Sequence, residues 1–177
     1  MSVIQKKDSG TWGECVWVVT VDNYLVIGSG TGAECSAEDV PWHKYIEDII
    51  GVIFKGEVSL PEEFSLKNFF SGYGRLEQID MRDLNTENVV SMQSMFADCE
   101  RLQFADLSGG NTSNVISMSR MFQDCKGLRY VDLSGIDTSN VTGMSQMFAG
   151  CSSLEEVNLS GLDTSNVASM LGMFMNC

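Results

Sequence analysis

The sequence predicts an α/β repeat solenoid: each 26-residue coil contributes a short parallel strand, a turn and a short helix, and a β-hairpin caps the amino-terminal end. Three observations predict it. Cys99, Cys125, Cys151 and Cys177 are each 26 residues from the next. Phe96, Phe122, Phe148 and Phe174 keep the same step, as do Leu76, Leu102, Leu128 and Leu154, and Asn88, Asn114, Asn140 and Asn166. Within every unit the apolar spacing changes from alternation to a helical period. Self-similarity at this length marks stacked supersecondary units that share one core.

The elements follow in chain order. Residues 1–10, "MSVIQKKDSG", read as a disordered lead or a remnant of recombinant preparation. They lack the apolar run of a secretory signal. Residues 11–49 form the cap. "ECVWVVTV" and "YLVIGSG" are β-rich runs joined at Asp22-Asn23, a tight-turn pair. "AEDVPWHKYIEDI" then reads as loop and short helix, with Pro41 in its first turn. Residues 50–75 are a degenerate first coil, entered by the strand "GVIFKGEVSL", with Ile50, Ile53, Phe69 and Phe70 in core slots. The hairpin is placed to cover the open edge of that coil.

Residues 76–177 hold four repeats without insertion or deletion. In "LRYVDLSG" Val131 and Leu133 alternate to one face of a strand. Met118, Met121, Phe122 and Cys125 then lie at i, i+3, i+4 and i+7, one stripe of a short helix. Asp, Thr, Ser and Asn between them suit a turn and helix N-cap. One unit buries too little apolar surface to offset its own chain entropy, so coils must stack. Cys177 ends a repeat with no polar coil after it, and solenoids ordinarily need one. The chain is therefore expected to be truncated at its carboxy end.

The stretch "LSGIDTSNVTGMSQMFAGC" resembles the repeat of the BspA-like leucine-rich-repeat surface proteins of bacteria. The preceding "GTWGECVWVVTVDNYLVIGSGTG…PWHKYIEDIIGVIFKG" is similar to the module that often precedes those repeats. The resemblance implies a leucine-rich-repeat-like fold and display at the cell surface. It also implies non-catalytic binding of host or neighbouring-cell proteins or glycans.

The net charge is −13, which argues against nucleic acid and anionic membranes as partners. No stretch approaches a membrane span in length. The six cysteines include no Cys-x-x-Cys pair, and His43 is the only histidine, so repeat thiols are expected as small buried hydrophobes. Whether Cys15 and Cys35 pair is left open by the sequence. Eight of the eleven methionines fill repeat core slots, which suits packing better than a soft-metal site. "GSGTG" at 28–32 lacks the spacing and Lys-Ser/Thr of a phosphate loop. His43 has neither a nucleophile nor an orienting carboxylate in its motif. No catalytic group, cofactor or metal site is expected.

The informative positions lie on the strands. Asp80, Asp106, Asp132 and Asn158 fall between core positions and point outward. Stacked about 5 Å apart, such carboxylates repel by roughly 1 kcal/mol per pair at high dielectric. Either each accepts a bond from its own following turn, or Asp80, Asp106 and Asp132 hold calcium. Two residues earlier come Gln78, Phe104, Tyr130 and Glu156; two later come Arg82, Ser108, Ser134 and Ser160. Phe104, Tyr130, Arg82, Glu156, Asp106 and Asp132 are the expected ligand contacts, because they break the repeat on the face where solenoids bind. The alternatives are a spacer with no ligand and, more distantly, a hydrolase using Cys15 or His43. The protein is expected to be a monomer, or a dimer joined end to end through its last coil.

Overall fold

The computed structural model describes residues 5–107 and 110–177. Three strands open it: β1 (Lys6–Trp12), β2 (Cys15–Thr20) and β3 (Tyr24–Thr31). A single 3₁₀ turn, His43–Tyr45, precedes β4 (Gly51–Ser59) and β5 (Phe64–Ser65). Five three-residue strands follow: β6 (Gln78–Asp80), β7 (Val89–Ser91), β8 (Phe104–Asp106), β9 (Tyr130–Asp132) and β10 (Glu156–Asn158).

The principal sheet runs β1-β2-β3-β4-β6-β8-β9-β10. Its first two pairings are antiparallel, and every pairing from β3 onward is parallel. A second ladder starts with β5 and β7 and continues through bridges Ser91–Ser117, Ser117–Gly143 and Gly143–Ser169. The result is a β-solenoid of about five coils, with the hairpin β2–β3 extending the sheet at its amino-terminal edge.

The expected short helix of each coil is absent. In the third coil the N–H groups of Met118, Arg120, Phe122 and Asp124 donate to carbonyls of Gly143, Ser145, Met147 and Ala149 on the next coil, at 2.7–2.9 Å. The intervening N–H groups of Met121, Gln123 and Cys125 donate three residues back, at 3.1–3.2 Å. A helix would keep all these bonds within the segment. Here four of the seven join coils. The backbone is turned by a left-handed residue every fourth position: Arg120 and Asp124 at φ 59° and 58°, with Ser94 and Asp98, then Gln146 and Gly150, equivalent to them. Met118, Met121, Phe122 and Cys125 are nonetheless buried. Their spacing specified which side chains point inward, and a run of tight turns satisfies it as well as a helix does.

Two further expectations are corrected. Residues 6–10 belong to β1 and are not a disordered lead. Lys7 pairs with Asp48 at 2.6 Å, and the Tyr45 hydroxyl and the Lys44 ammonium both bond Asp8. Buried Trp12 anchors the end of the strand. Residues 1–4 of that expected lead lie outside the described residues. Ile50 and Ile53 are only half-buried; Ile49, Val52 and Phe54 fill those core slots. The cause is register: Val52 pairs with Ile79, one residue longer than the repeat step, so the first strand's parity is inverted relative to a 26-residue shift.

The core is continuous. Beneath the cap, Trp12, Trp17, Trp42, Phe64 and Phe69 meet in edge and tilted contacts with centroids 5.4–6.3 Å apart. From Phe70 onward one ring per coil stacks: Phe70–Phe96 at 5.9 Å, Phe96–Phe122 at 5.5 Å, Phe122–Phe148 at 5.6 Å and Phe148–Phe174 at 5.3 Å. In the last coil, Met170, Leu171, Phe174 and Met175 are exposed, Leu171 by 77%.

Candidate functional site

The outward face of the principal sheet is built by strand alternation. Ile79, Ala105 and Val131 point inward and are buried, so their neighbours on each strand point out. The parallel register aligns Gln78, Phe104, Tyr130 and Glu156 in one column, and Asp80, Asp106, Asp132 and Asn158 in the next. The face also reaches into the cap, which the sequence reading missed. Tyr24 pairs with Gly51 and Gly51 with Gln78; Val26 pairs with Ile53 and Ile53 with Asp80. The Tyr24 ring lies over Gly51, where a Cβ would collide with it. The inward parity of Leu25 and Ile27 was the available signal for this extension.

Phe104 and Tyr130 sit side by side, centroids 6.0 Å apart and planes 4° from parallel, with Phe104 44% exposed. The Tyr130 hydroxyl donates to Asp132 at 3.1 Å, which fixes the ring along its strand. Burial, with that bond second, raises the phenol's pKa. Arg82 donates to both oxygens of Asp80, at 2.9 and 2.6 Å, and that pair holds the Asp80 carboxyl below its ordinary range. Gln78 Nε2 donates to the Tyr24 hydroxyl at 2.6 Å. A depression of about 300 Å³ lies between β4 and β8, lined by Ile53, Gln78, Asp80, Arg82, Phe104 and Asp106.

The outward Asp column is largely engaged by its own turns. Asp80 Oδ1 accepts from Arg82 N–H at 3.2 Å, Asp132 Oδ1 from Ser134 N–H at 2.8 Å, and Asn158 Oδ1 from Ser160 N–H at 3.1 Å. Hydrogen bonds from Ser134 lower the Asp132 pKa. Ser108, two residues after Asp106, lies outside the described residues. Among the described residues no cluster of three or more His, Cys, Asp or Glu is arranged to hold a metal ion.

The repeated polar residues do something the sequence did not reveal. Buried Thr112 donates to the Asp137 carbonyl at 2.9 Å and accepts from the Asp137 N–H at 2.8 Å; Thr138 does the same with Asp163. Asn114 and Asn140 donate backwards, to Glu87 O at 2.7 Å and Ser113 O at 2.8 Å. Asp137 and Asp163 close their own turns by accepting from Ser139 and Ser165 N–H. Thr therefore clamps each coil to the next, Asn clamps it to the one before, and Asp makes the turn.

Each repeat cysteine also bonds across coils, Cys99, Cys125 and Cys151 donating to the Phe70, Phe96 and Phe122 carbonyls at 3.0 Å. Burial raises these thiols, Cys151 to about 12. Cys15 and Cys35 are free thiols, and Cys35 Sγ accepts from Trp12 Nε1 at 3.3 Å. Cys15 is buried, and that burial raises its thiol pKa. His43 starts the 3₁₀ turn. "GSGTG" runs through the end of β3, where a bulge between Gly28 and Gly30 faces β4.

Comparison with known proteins follows from this repeat. A family described as Mycoplasma protein of unknown function, DUF285, matches residues 64–177. The chain belongs to that family. The matched span covers β5 through the last coil and so includes the Phe104–Tyr130 face. Among solved structures, a leucine-rich repeat protein from Eubacterium ventriosum ATCC 27560 matches with TM-score 0.44 and 16% identity, over 90% of this chain. This chain spans 45% of that protein's length. Comparison with curated proteins returns no match.

Proposed function

We propose that this protein is a non-catalytic recognition module of the BspA-like type, displayed at a bacterial surface. It binds a host or neighbouring-cell protein or glycan through the outward face of its principal sheet. One observation carries this reading. Core and clamp positions repeat almost without change from coil to coil, whereas the aligned column Gln78, Phe104, Tyr130, Glu156 changes at every step. Two of those four are aromatic, and one of these, Phe104, is exposed. A solenoid held by cross-coil bonds presents such a face already ordered, so little conformational entropy is lost on binding. Among the described residues no helix is long and apolar enough to cross a membrane.

The cross-coil clamps equally suit a stiff spacer that binds nothing. The test is binding of the purified protein to a panel of extracellular matrix proteins and glycans, beside a Phe104→Ser/Tyr130→Ser variant of equal melting temperature. Saturable binding that the variant loses supports recognition through this face. Saturable binding that the variant retains would place recognition away from this face; no binding across the panel favours the spacer.

A further inference from the structure

Resting on that reading of the face, we infer that its occupant is an extended lysine- or arginine-bearing segment of a partner protein, laid across β8, β9 and β10. Charge complementarity carries the inference. The three distal strands read Phe-Ala-Asp, Tyr-Val-Asp and Glu-Val-Asn and contain no basic residue. Asp106, Asp132 and Glu156 thus place carboxylates on successive strands beside two aromatic rings. Arg129, just before β9, lies 3.7 Å from Glu155. Rings attract cations through their faces, and carboxylates attract them directly. A lysine or arginine on this face would lay its alkyl stem against the stacked rings, with its charged head among the carboxylates.

The two ends of the face set the register. Arg82, already bonded to both oxygens of Asp80, repels a cationic segment from the β4–β6 end. It is also spent as an anion receptor, which argues against an acidic or phosphorylated ligand. The depression of about 300 Å³ beside Phe104 takes the segment's uncharged neighbouring side chain. From β8 to β10 is two strand spacings of about 4.8 Å, so the footprint is about three residues of extended chain at ~3.3 Å each.

The experiment is fluorescence anisotropy with labelled hexapeptides of alternating lysine and threonine, glutamate and threonine, and serine and threonine, on the intact protein in 50 mM salt. The site variant is Asp106→Asn/Asp132→Asn. It is conservative because the next coil already uses Asn158 in that slot, bonded to its turn in the same way. The control, Glu47→Gln/Glu62→Gln, removes the same charge from exposed loops. The inference predicts binding of the lysine peptide alone, weakened about tenfold by the site variant, less than twofold by the control, and several-fold by 0.3 M added salt.

Equal weakening by site variant and control would reduce the effect to net charge and overturn the inference. So would equal binding of the uncharged peptide. If the matrix and glycan panel shows Phe104/Tyr130-dependent binding while lysine peptides do not bind, the recognition face stands and this inference falls. If neither binds, both fall.

Discussion

Thr112→Val isolates one clamp. Valine has nearly the same shape, so no cavity opens, but the hydroxyl's two bonds to Asp137, at 2.9 and 2.8 Å, disappear together. Each contributes about 0.5–1.5 kcal/mol net, and Asp137 lies near enough to solvent for water to take partial compensation, so the expected loss is about 2 kcal/mol. With a urea m-value of ~2 kcal/mol/M, the midpoint should fall by about 1 M. Thr112→Ser keeps the hydroxyl and deletes only a methyl, a loss of about 0.8 kcal/mol. Thr164 occupies the same repeat position on the last coil and is exposed, so Thr164→Val should change stability by less than about 0.5 kcal/mol. Urea unfolding followed by tryptophan fluorescence and by circular dichroism would read all three. Thr112→Val no worse than Thr164→Val would show that the hydroxyl column does not hold the coils.

Three further outcomes follow from the same geometry. Gly150 adopts φ 78°, and a Cβ there would collide with the Asp124 carboxylate, so Gly150→Ala should destabilise by about 1–2 kcal/mol in the same urea assay. Iodoacetamide at pH 8 should alkylate exposed Cys177 first and leave Cys99 and Cys125 unmodified until urea unfolds the protein, as peptide mass mapping would show. Asp80 has its pKa lowered by Arg82; its contribution is therefore present above the unfolded value near 3.8 and is lost as pH falls through the folded value. In Arg82→Gln the NMR titration of Asp80 should move upward toward 3.8, and the acid side of the melting curve should become less steep.

Sequence periodicity went far. The 26-residue step placed the phenylalanine stack, the buried cysteines and the outward Asp column, and the Asp22-Asn23 turn placed the hairpin. It misassigned the second half of each coil, because i, i+3, i+4, i+7 spacing reports burial on one side and not the partner of each N–H. The left-handed residues there, such as Arg120 and Gln146, are not types that announce themselves in sequence. Ile53 went to the wrong face because β4 pairs one residue out of step with the repeat, which only the ladder reveals. Phe104 and Tyr130 were legible as aromatics in a strand column that changes from coil to coil within an otherwise regular repeat. Tyr24 was not, because it enters the face from the cap, outside the repeat.

The central claim is that repeating residues build the solenoid while the departures from the repeat on its strand face bind a partner. The most direct measurement is a binding isotherm of Phe104→Ser/Tyr130→Ser against whichever matrix protein or glycan the wild type binds, on protein whose melting temperature is unchanged. The account predicts at least a tenfold weaker Kd with the fold intact. An unchanged Kd in a protein that melts normally would contradict it, and would leave the strand face as scaffold alone.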